Sequence, residues 1–552
     1  MEVKVDGLAD GIIEAAARIL KRELSERGIT AGITLRVNRS LVAESFCITR
    51  ENQQIYITGG DANGVLYGCG RLIRQWPDVD FSGEVSVPGK PVRGMYFAVH
   101  MDNFYHVAPM DTVARYVEEL ALYGINTLTM YFHIFHFTGI SDPECVAFID
   151  RLNAIYAVAR SVGMKTGVLV TGNDGYLSTP GDIAFEKEVP RNWGTEICPD
   201  KPGAMEQITR QFGEVFDVLS DMDYLIIWPY DSGGCHCRAC YPWGVKGFYR
   251  VAEPVAKEFR KRFPCGKVVI STWMFDYNMG DTGEWDEFYK RLADGQLGYA
   301  DMIMADGAHV NGYFPQRVID SPLSLPVISF LEISMRVGAP WGSFGANPMP
   351  AFIETEWTRV KKTIVGGTPY SEGIFEDINK FIWAQLCWSP DRTVRSILEE
   401  YSSYVASADC ASEITDAIFK IENVGRREPA DLTENRITLL DASLCADAWR
   451  LMEKTDRKLP RAKRRAWRWR LLLLRARIDA ELAQSGGAPT AALGRVYDEL
   501  TEIYHITDNS LWYIHPYEVR YQDSQLRFVQ PGRGIGDICK RFNSKQATQL
   551  LD

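Results

Sequence analysis

Side chains able to act on a substrate recur in this chain at one kind of place, the C-terminal end of an apolar run. In order these are His100 and Asp102, followed by Asn103 and His106; then His133 and His136; then Asn173 and Asp174. The series continues with Trp228-Pro229-Tyr230-Asp231, Trp273 and Asp276, Asp306 and His309, Glu332, and finally Glu372. Acidic groups outnumber the other plausible catalysts. A pair of carboxyl groups suits cleavage of a glycosidic bond, which needs one protonated carboxyl at the leaving oxygen and one ionised carboxylate for water or for the anomeric carbon. Asp231 follows Trp228 and Tyr230, an apolar setting that favours the protonated form and the acid role. Glu332 leaves the run Ile328-Ser329-Phe330-Leu331 directly, and Asp306, on the run before it, could share activation of a water.

Other chemistries lack their residues. There is no Gly-x-Ser-x-Gly elbow, no His-Glu-x-x-His, no Walker loop and no Gly-x-Gly-x-x-Gly turn. A lone aspartate after a strand is more often a helix cap or turn former than a catalyst, so the weight lies on the constellation. The remaining polar tips, His100, Asp102, His133, Asn173, Asp174, Trp273, Asp276 and His309, are then read with Trp228 and Tyr230 as the lining of a sugar subsite. Asp231, Asp306, Glu332 and Glu372 are read as the catalytic set.

Directly after Asp231 comes Gly233-Gly234-Cys235-His236-Cys237-Arg238-Ala239-Cys240. Cys-x-Cys-x-x-Cys offers three soft ligands in one loop, and Cys198, in Glu196-Ile197-Cys198-Pro199, could supply the fourth that a tetrahedral zinc needs. The set Cys198, Cys235, Cys237 and Cys240 is therefore a candidate structural zinc site, with reduced thiols in a tight loop as the alternative and His236 as a weaker ligand. Four thiolates leave no open position, so no cofactor is expected for catalysis.

Positioning such tips calls for a repeated strand-and-helix unit. Eight candidate strands are Gly94–Val99, Thr127–Phe132, Thr166–Val170, Tyr224–Trp228, Val268–Thr272, Met302–Ala305, Val327–Leu331 and Thr368–Ser371. Helical periodicity fills several intervals, as in Thr112–Leu122 and Asp150–Val162. This predicts a (β/α)8 TIM barrel over residues 91–389, whose active site belongs at the C-terminal ends of the strands. Residues 1–90 read as a small α/β sandwich domain, with a helix over Gly7–Arg27, short strands at 33–37, 45–49 and 54–58, and Asp61 capping a second helix. Residues 390–552 read as an α-helical domain. Its basic run from Arg457 to Arg477 is expected to turn Leu471–Leu474 inward and its arginines outward.

Composition sets the outer limits. With 552 residues, three or four domains are expected at roughly 100–200 residues each. The formal net charge of -11 argues against nucleic acid or anionic lipid as a partner. No apolar run approaches the ~20 residues of a membrane span. The start shows no secretory pattern, and 12 scattered cysteines suit reduced thiols, so a cytoplasmic location is expected.

Ile57-Thr58-Gly59-Gly60-Asp61 with Gly64-Val65-Leu66-Tyr67-Gly68 resembles the small domain that precedes the barrel in bacterial β-N-acetylhexosaminidases and α-glucuronidases. The barrel, ending in Ser371-Glu372-Gly373-Ile374-Phe375-Glu376-Asp377-Ile378-Asn379-Lys380 and followed by a helical tail, is similar to that glycoside hydrolase superfamily as well. The resemblance implies a glycosidase, exo-acting on a small oligosaccharide or glycoside. Hexosaminidases place an Asp-Glu pair after the fourth strand; here the pair is Asp231-Ser232, so that mechanism lacks its acid. The α-glucuronidase layout, an acid from strand four with Asp and Glu from strands six and seven, matches Asp231, Asp306 and Glu332, with Asp in place of the usual Glu, and implies inversion. In that layout Glu372 is a sugar ligand or the alternate base. A sugar-binding protein on a degenerate barrel and a barrel lyase or isomerase are the competing readings. A homodimer is expected, with the Arg461–Leu482 helix as one candidate surface.

Overall fold

In a computed structural model of the chain, residues 2–6, 10–99, 104–185, 195–230, 233–278, 280–305, 313–334, 346–424, 436–437, 441–485, 491–505, 518–522 and 525–529 are described. The N-terminal part is a four-stranded sheet in the order β1-β2-β4-β3, built from β1 (Glu2–Asp6), β2 (Gly32–Val37), β3 (Phe46–Glu51) and β4 (Gln54–Gly59). Strand β1 escapes the sequence reading because only its Val3 is buried; charged neighbours dominate the segment. Asp10 and Asp61 cap the helices Gly11–Glu26 and Ala62–Gln75, each carboxylate accepting a first-turn backbone N–H at 2.8 Å. The periodicity predicts a buried stripe of Ile12, Ile13, Ala16, Ile19 and Leu20; the last four are buried and Ile12 is half-buried.

The barrel follows. Its strands are β5 (Val92–Phe97), β6 (Thr127–Tyr131), β7 (Lys165–Thr171), then, after a short antiparallel pair β8 (Asp174–Gly175) and β9 (Thr195–Glu196), β10 (Tyr224–Trp228), β11 (Lys267–Ser271), β12 (Met302–Ala305), β13 (Val327–Ser329), β14 (Gly366–Gly367) and β15 (Tyr370–Ser371). All barrel pairings are parallel, and β14 pairs with both β13 and β5, so the sheet closes on itself. Buried on both faces, the strands read as continuous apolar runs rather than alternating ones. One apolar cluster, including Tyr96, Leu169, Ile226, Val269, Met304 and Ile328, fills the barrel interior; a larger one lies between strands and helices.

The eighth strand is split where the backbone must come closest to its neighbours. Gly366 has φ +127°, and a Cβ there would lie 1.7 Å from the Val92 carbonyl oxygen; a Cβ on Gly367 would lie 2.3 Å from that of Ser329. Glycine is required at both positions. After Thr368 and Pro369 the strand resumes at Tyr370–Ser371 and pairs with β5, in register with Tyr96 and Phe97, while Tyr370 also bridges Glu332 beyond β13.

The C-terminal part contains helices Val394–Val405, Ala411–Asn423, Ala442–Lys458, Arg461–Arg465, Trp467–Ser485 and Ala491–Ile503. A small antiparallel sheet of β16 (Arg436–Ile437), β17 (Glu518–Gln522) and β18 (Gln525–Val529) was not expected. The predicted helix Arg461–Leu482 is two helices, broken at Ala466 in extended conformation. Leu471–Leu474 do turn inward, but the expectation that every arginine faces water is corrected. Arg468 and Arg475 are buried. Arg468 bonds Asp377 at 2.8 Å and Glu119 at 2.6 Å, and Arg475 bonds Asp479 at 2.9 Å. Helix Trp467–Ser485 packs mainly on Ala442–Lys458 and Ala491–Ile503 and reaches the helix after strand eight through Arg468. Among the described residues no helix is long and apolar enough to cross a membrane.

Two measurements probe this frame. Gly366→Ala should lower unfolding free energy by roughly 3 kcal/mol or more in a denaturant titration, because β-carbon and carbonyl cannot share the space. Gly181→Ala, where a Cβ meets nothing within 4 Å, should stay within about 0.5 kcal/mol of the parent. The second concerns Glu400, buried beside Arg74 and Arg392 at 3.0 and 2.7 Å. Burial alone would raise its carboxyl, but Arg74, Arg392 and Arg71 together hold it down at about 2 against an ordinary 4.5. Its stabilisation is therefore complete above pH 4.5 and is lost as pH falls toward 2. Glu400→Gln should flatten the melting temperature against pH across that window, while the parent falls steeply.

Candidate active site

The C-terminal ends of the barrel strands carry a packed cluster of aromatic rings, with Glu332 and Glu372 on the strand ends beside it. Trp228, at the end of β10, stacks on Trp273 with ring centroids 5.6 Å apart and planes 14° from parallel. Phe330 meets Trp228 edge-on at 5.2 Å, and Tyr96 stacks on Tyr370 at 5.3 Å. Tyr131 completes the cluster 5.8 Å from Trp228. Trp228 is nearly buried and Trp273 half-buried, so Trp273 is the better placed to offer a face to a ligand. Sequence reasoning found the two tryptophans but not Tyr131, Phe330 and Tyr370, because inward and outward positions cannot be told apart in a strand buried on both faces.

Glu332 and Glu372 follow neighbouring strand ends. Glu332 forms a parallel bridge with Tyr370, two residues before Glu372. Its carboxylate accepts the Ser334 N–H at 2.6 Å and is half-exposed. Glu372 is 1% exposed and accepts the Tyr370 hydroxyl at 2.7 Å.

The segment behind strand eight was quoted in the sequence, but the roles of its charges were not foreseen. Glu376 Oε1 accepts the Ser371 hydroxyl and the backbone N–H groups of Glu372 and Gly373, at 2.7, 2.6 and 2.9 Å. Lys380, wholly buried, donates to the hydroxyls of Tyr105 and Tyr116 at 2.7 and 3.0 Å and to the Gly373 carbonyl. Burial pushes its ammonium down to about 8, against the opposing pull of Glu376 and Asp377. Asp377 in turn gathers hydrogen bonds from Tyr116, Tyr401 and Arg468 at 2.8–2.9 Å. The backbone that carries Glu372 is thereby fixed from behind.

Other expected lining residues have different employment. Asn173 is wholly buried, and its amide spans two loops: Nδ2 donates to the carbonyls of Ile197 (3.1 Å) and Gly234 (2.8 Å), and Oδ1 accepts the Gly234 N–H at 3.1 Å. Asp174 is buried and accepts the Tyr131 hydroxyl at 2.8 Å, placing it beside the ring cluster. Tyr230 points away from the mouth. Its hydroxyl donates to Glu284, and burial first, then Glu284, pushes the phenol well above its ordinary value. Asp276, at φ +56°, accepts the backbone N–H groups of Thr282, Glu284 and Trp285 at 2.8–3.1 Å. It caps the helix Glu284–Ala293, a role that the sequence reading of Asp276 as a sugar ligand did not include. His133 is buried in a nest of rings, 4.3 Å from Phe148 and 4.4 Å from His136. His100, Asp102, Asp231, Asp306 and His309 lie outside the described residues.

Beside the mouth, the sulfur atoms of Cys198, Cys235, Cys237 and Cys240 all lie within 4.8 Å of one another, and those of Cys198 and Cys237 are 3.7 Å apart. Three of the four cysteines are buried and Cys237 is half-buried. His236 is not part of the cluster.

No family model and no curated protein matches the chain. Solved structures do. A family 115 4-O-methyl-α-glucuronidase with specificity for decorated arabinogalactans superposes with a TM-score of 0.61 at 13% identity, covering 93% of this chain and 77% of that one. A family 138 enzyme targeting pectin rhamnogalacturonan II gives 0.60 at 13% identity, over 99% of this chain and 79% of its own. A family 89 glycoside hydrolase from Clostridium perfringens gives 0.57 at 12% identity, over 89% and 64%. The chain therefore shares its barrel fold with these structures.

The capping role of Asp276 has a direct consequence. Asp276→Ala should cost about 0.5–2 kcal/mol of stability, the worth of a helix cap, in a denaturant titration. Sugar affinity of the folded fraction, measured by calorimetry, should stay unchanged; a selective loss of affinity would return Asp276 to the sugar ligands.

Proposed function

We propose that the chain is a glycoside hydrolase that releases a terminal sugar from a small oligosaccharide or glycoside by carboxylate general acid–base catalysis. One observation carries the reading: two carboxylates on adjacent strand ends, Glu332 and Glu372, lie at the end of the barrel where Trp228, Trp273, Phe330, Tyr370 and Tyr131 gather their rings. Apolar ring faces suit the C–H faces of a pyranose, and carboxylates suit its hydroxyls and its anomeric centre. The fold shared with the family 115, 138 and 89 enzymes supports the same class.

The roles follow from position. Asp231, after strand four, is the general acid that protonates the leaving oxygen. Glu332, half-exposed and oriented by the Ser334 N–H, takes a proton from the attacking water, assisted by Asp306, which follows the preceding strand in sequence. Glu372, buried and held by Tyr370, binds sugar hydroxyls. This is the α-glucuronidase-like layout, and it carries inversion at the anomeric carbon. The hexosaminidase layout is less well supported, since Ser232 stands where that chemistry needs its acid.

Turnover of a panel of aryl glycosides by the full chain tests the reading. The parent should hydrolyse at least one, and Glu332→Gln should lower kcat roughly 10²–10⁴-fold with an unchanged circular dichroism spectrum. Parent-like turnover by Glu332→Gln would remove Glu332 from catalysis. Retained sugar binding with no hydrolysis of any glycoside would make the chain a sugar-binding protein on a degenerate barrel.

A further inference from the structure

We propose that Cys198, Cys235, Cys237 and Cys240 hold one structural zinc ion that ties the loop after the fourth barrel strand to the loop after the third. Zinc bound tetrahedrally by thiolates at about 2.3 Å has sulfur–sulfur edges of about 3.8 Å. The Cys198–Cys237 separation is 3.7 Å, and all four sulfurs lie within 4.8 Å of one another. A disulfide needs about 2.05 Å, and two disulfides would pair the sulfurs rather than gather all four around one point. The ligands come from two stretches of chain that nothing local brings together: Cys198 follows β9, while the other three follow β10.

The surroundings suit a tetrathiolate. Zinc with four thiolates carries a net charge of −2, which donors around the sulfurs must offset. The Arg250 guanidinium lies 4.0 Å from the Cys240 sulfur. Asn173 supplies the outer bracket. Its amide binds Ile197 and Gly234, the residues immediately before Cys198 and Cys235, and so holds the two ligand segments at a fixed spacing. This accounts for an asparagine at the tip of strand three that is wholly buried and bonded only to backbone.

Four thiolates complete the zinc sphere, so the ion is a brace and not a Lewis acid for the reaction. Its consequence for the sugar site is positional. Asp231 lies four residues before Cys235. A metal at Cys235, with Trp243 Nε1 bound to the Pro229 carbonyl at 2.7 Å, restrains the short segment between from both ends. That consequence rests on the glycosidase reading; the metal site does not.

Metal analysis of the full chain purified without chelator should find one zinc per chain, and cobalt exchanged for it should give the visible bands of a tetrahedral tetrathiolate. Cys237→Ser should lose the metal, whereas Cys265→Ser, at an exposed cysteine outside the cluster, should keep it. If Cys237→Ser does not fold, the cobalt spectrum of the parent decides alone. A folded, metal-free parent that takes up neither zinc nor cobalt, with the four thiols freely alkylated or found as disulfides, would overturn the proposal. Zinc present in a chain that hydrolyses no glycoside would leave the site standing and remove only the activity.

Discussion

Closure of the barrel at Gly366-Gly367 is the constraint on which the rest depends. Seven strands are apolar runs that any parallel sheet could hold, but the eighth must fit between β13 and β5 at a separation that excludes β-carbons. The two glycines admit it. Immediately afterwards the strand shifts at Thr368-Pro369 and sets Tyr370 opposite Glu332 on its neighbour, with Glu372 two residues further on. One backbone contact thus closes the scaffold and fixes the strand end that carries Glu372.

Behind that strand, a buried polar network does for Glu372 what the glycines do for the barrel. Glu376 holds the backbone of residues 371–373, Lys380 neutralises it 3.8 Å away, and Asp377 receives Arg468 from the C-terminal helices. Each charge is paired or hydrogen-bonded, the condition under which burial is tolerated; removing one partner of such a set typically costs about 3–5 kcal/mol. The C-terminal helices are therefore part of the site's support, latched through Arg468 to the helix that follows strand eight.

The strands were legible in the sequence because a parallel barrel strand is an uninterrupted apolar run, and β10 and β12 fall where Tyr224–Trp228 and Met302–Ala305 were read. Glu332 and Glu372 were legible because they follow such runs directly. Asn173, Asp276 and Tyr230 look identical by that rule yet serve backbone, helix and core, since a polar residue after a strand satisfies loop amides as readily as a ligand. The basic helix misled for a related reason. Arg468 and Arg475 share its buried face with leucines; the partners of Arg468, Asp377 and Glu119, lie about 90 and 350 residues away in sequence, beyond any periodic pattern, while Arg475 pairs with Asp479 one turn on. The cysteine cluster was the opposite case: its spacing within one loop announced the geometry, and only the approach of Cys198 needed the fold.

The central claim is that the aromatic cluster and the two carboxylates beside it form one glycosyl-binding centre. A crystal structure of the chain soaked with a monosaccharide product or an iminosugar tests it most directly. The account predicts a pyranose ring resting against Trp273, with hydroxyls on Glu372 and the anomeric position facing Glu332. A ring bound elsewhere on the barrel, or one against the aromatic cluster touching neither carboxylate, would contradict it.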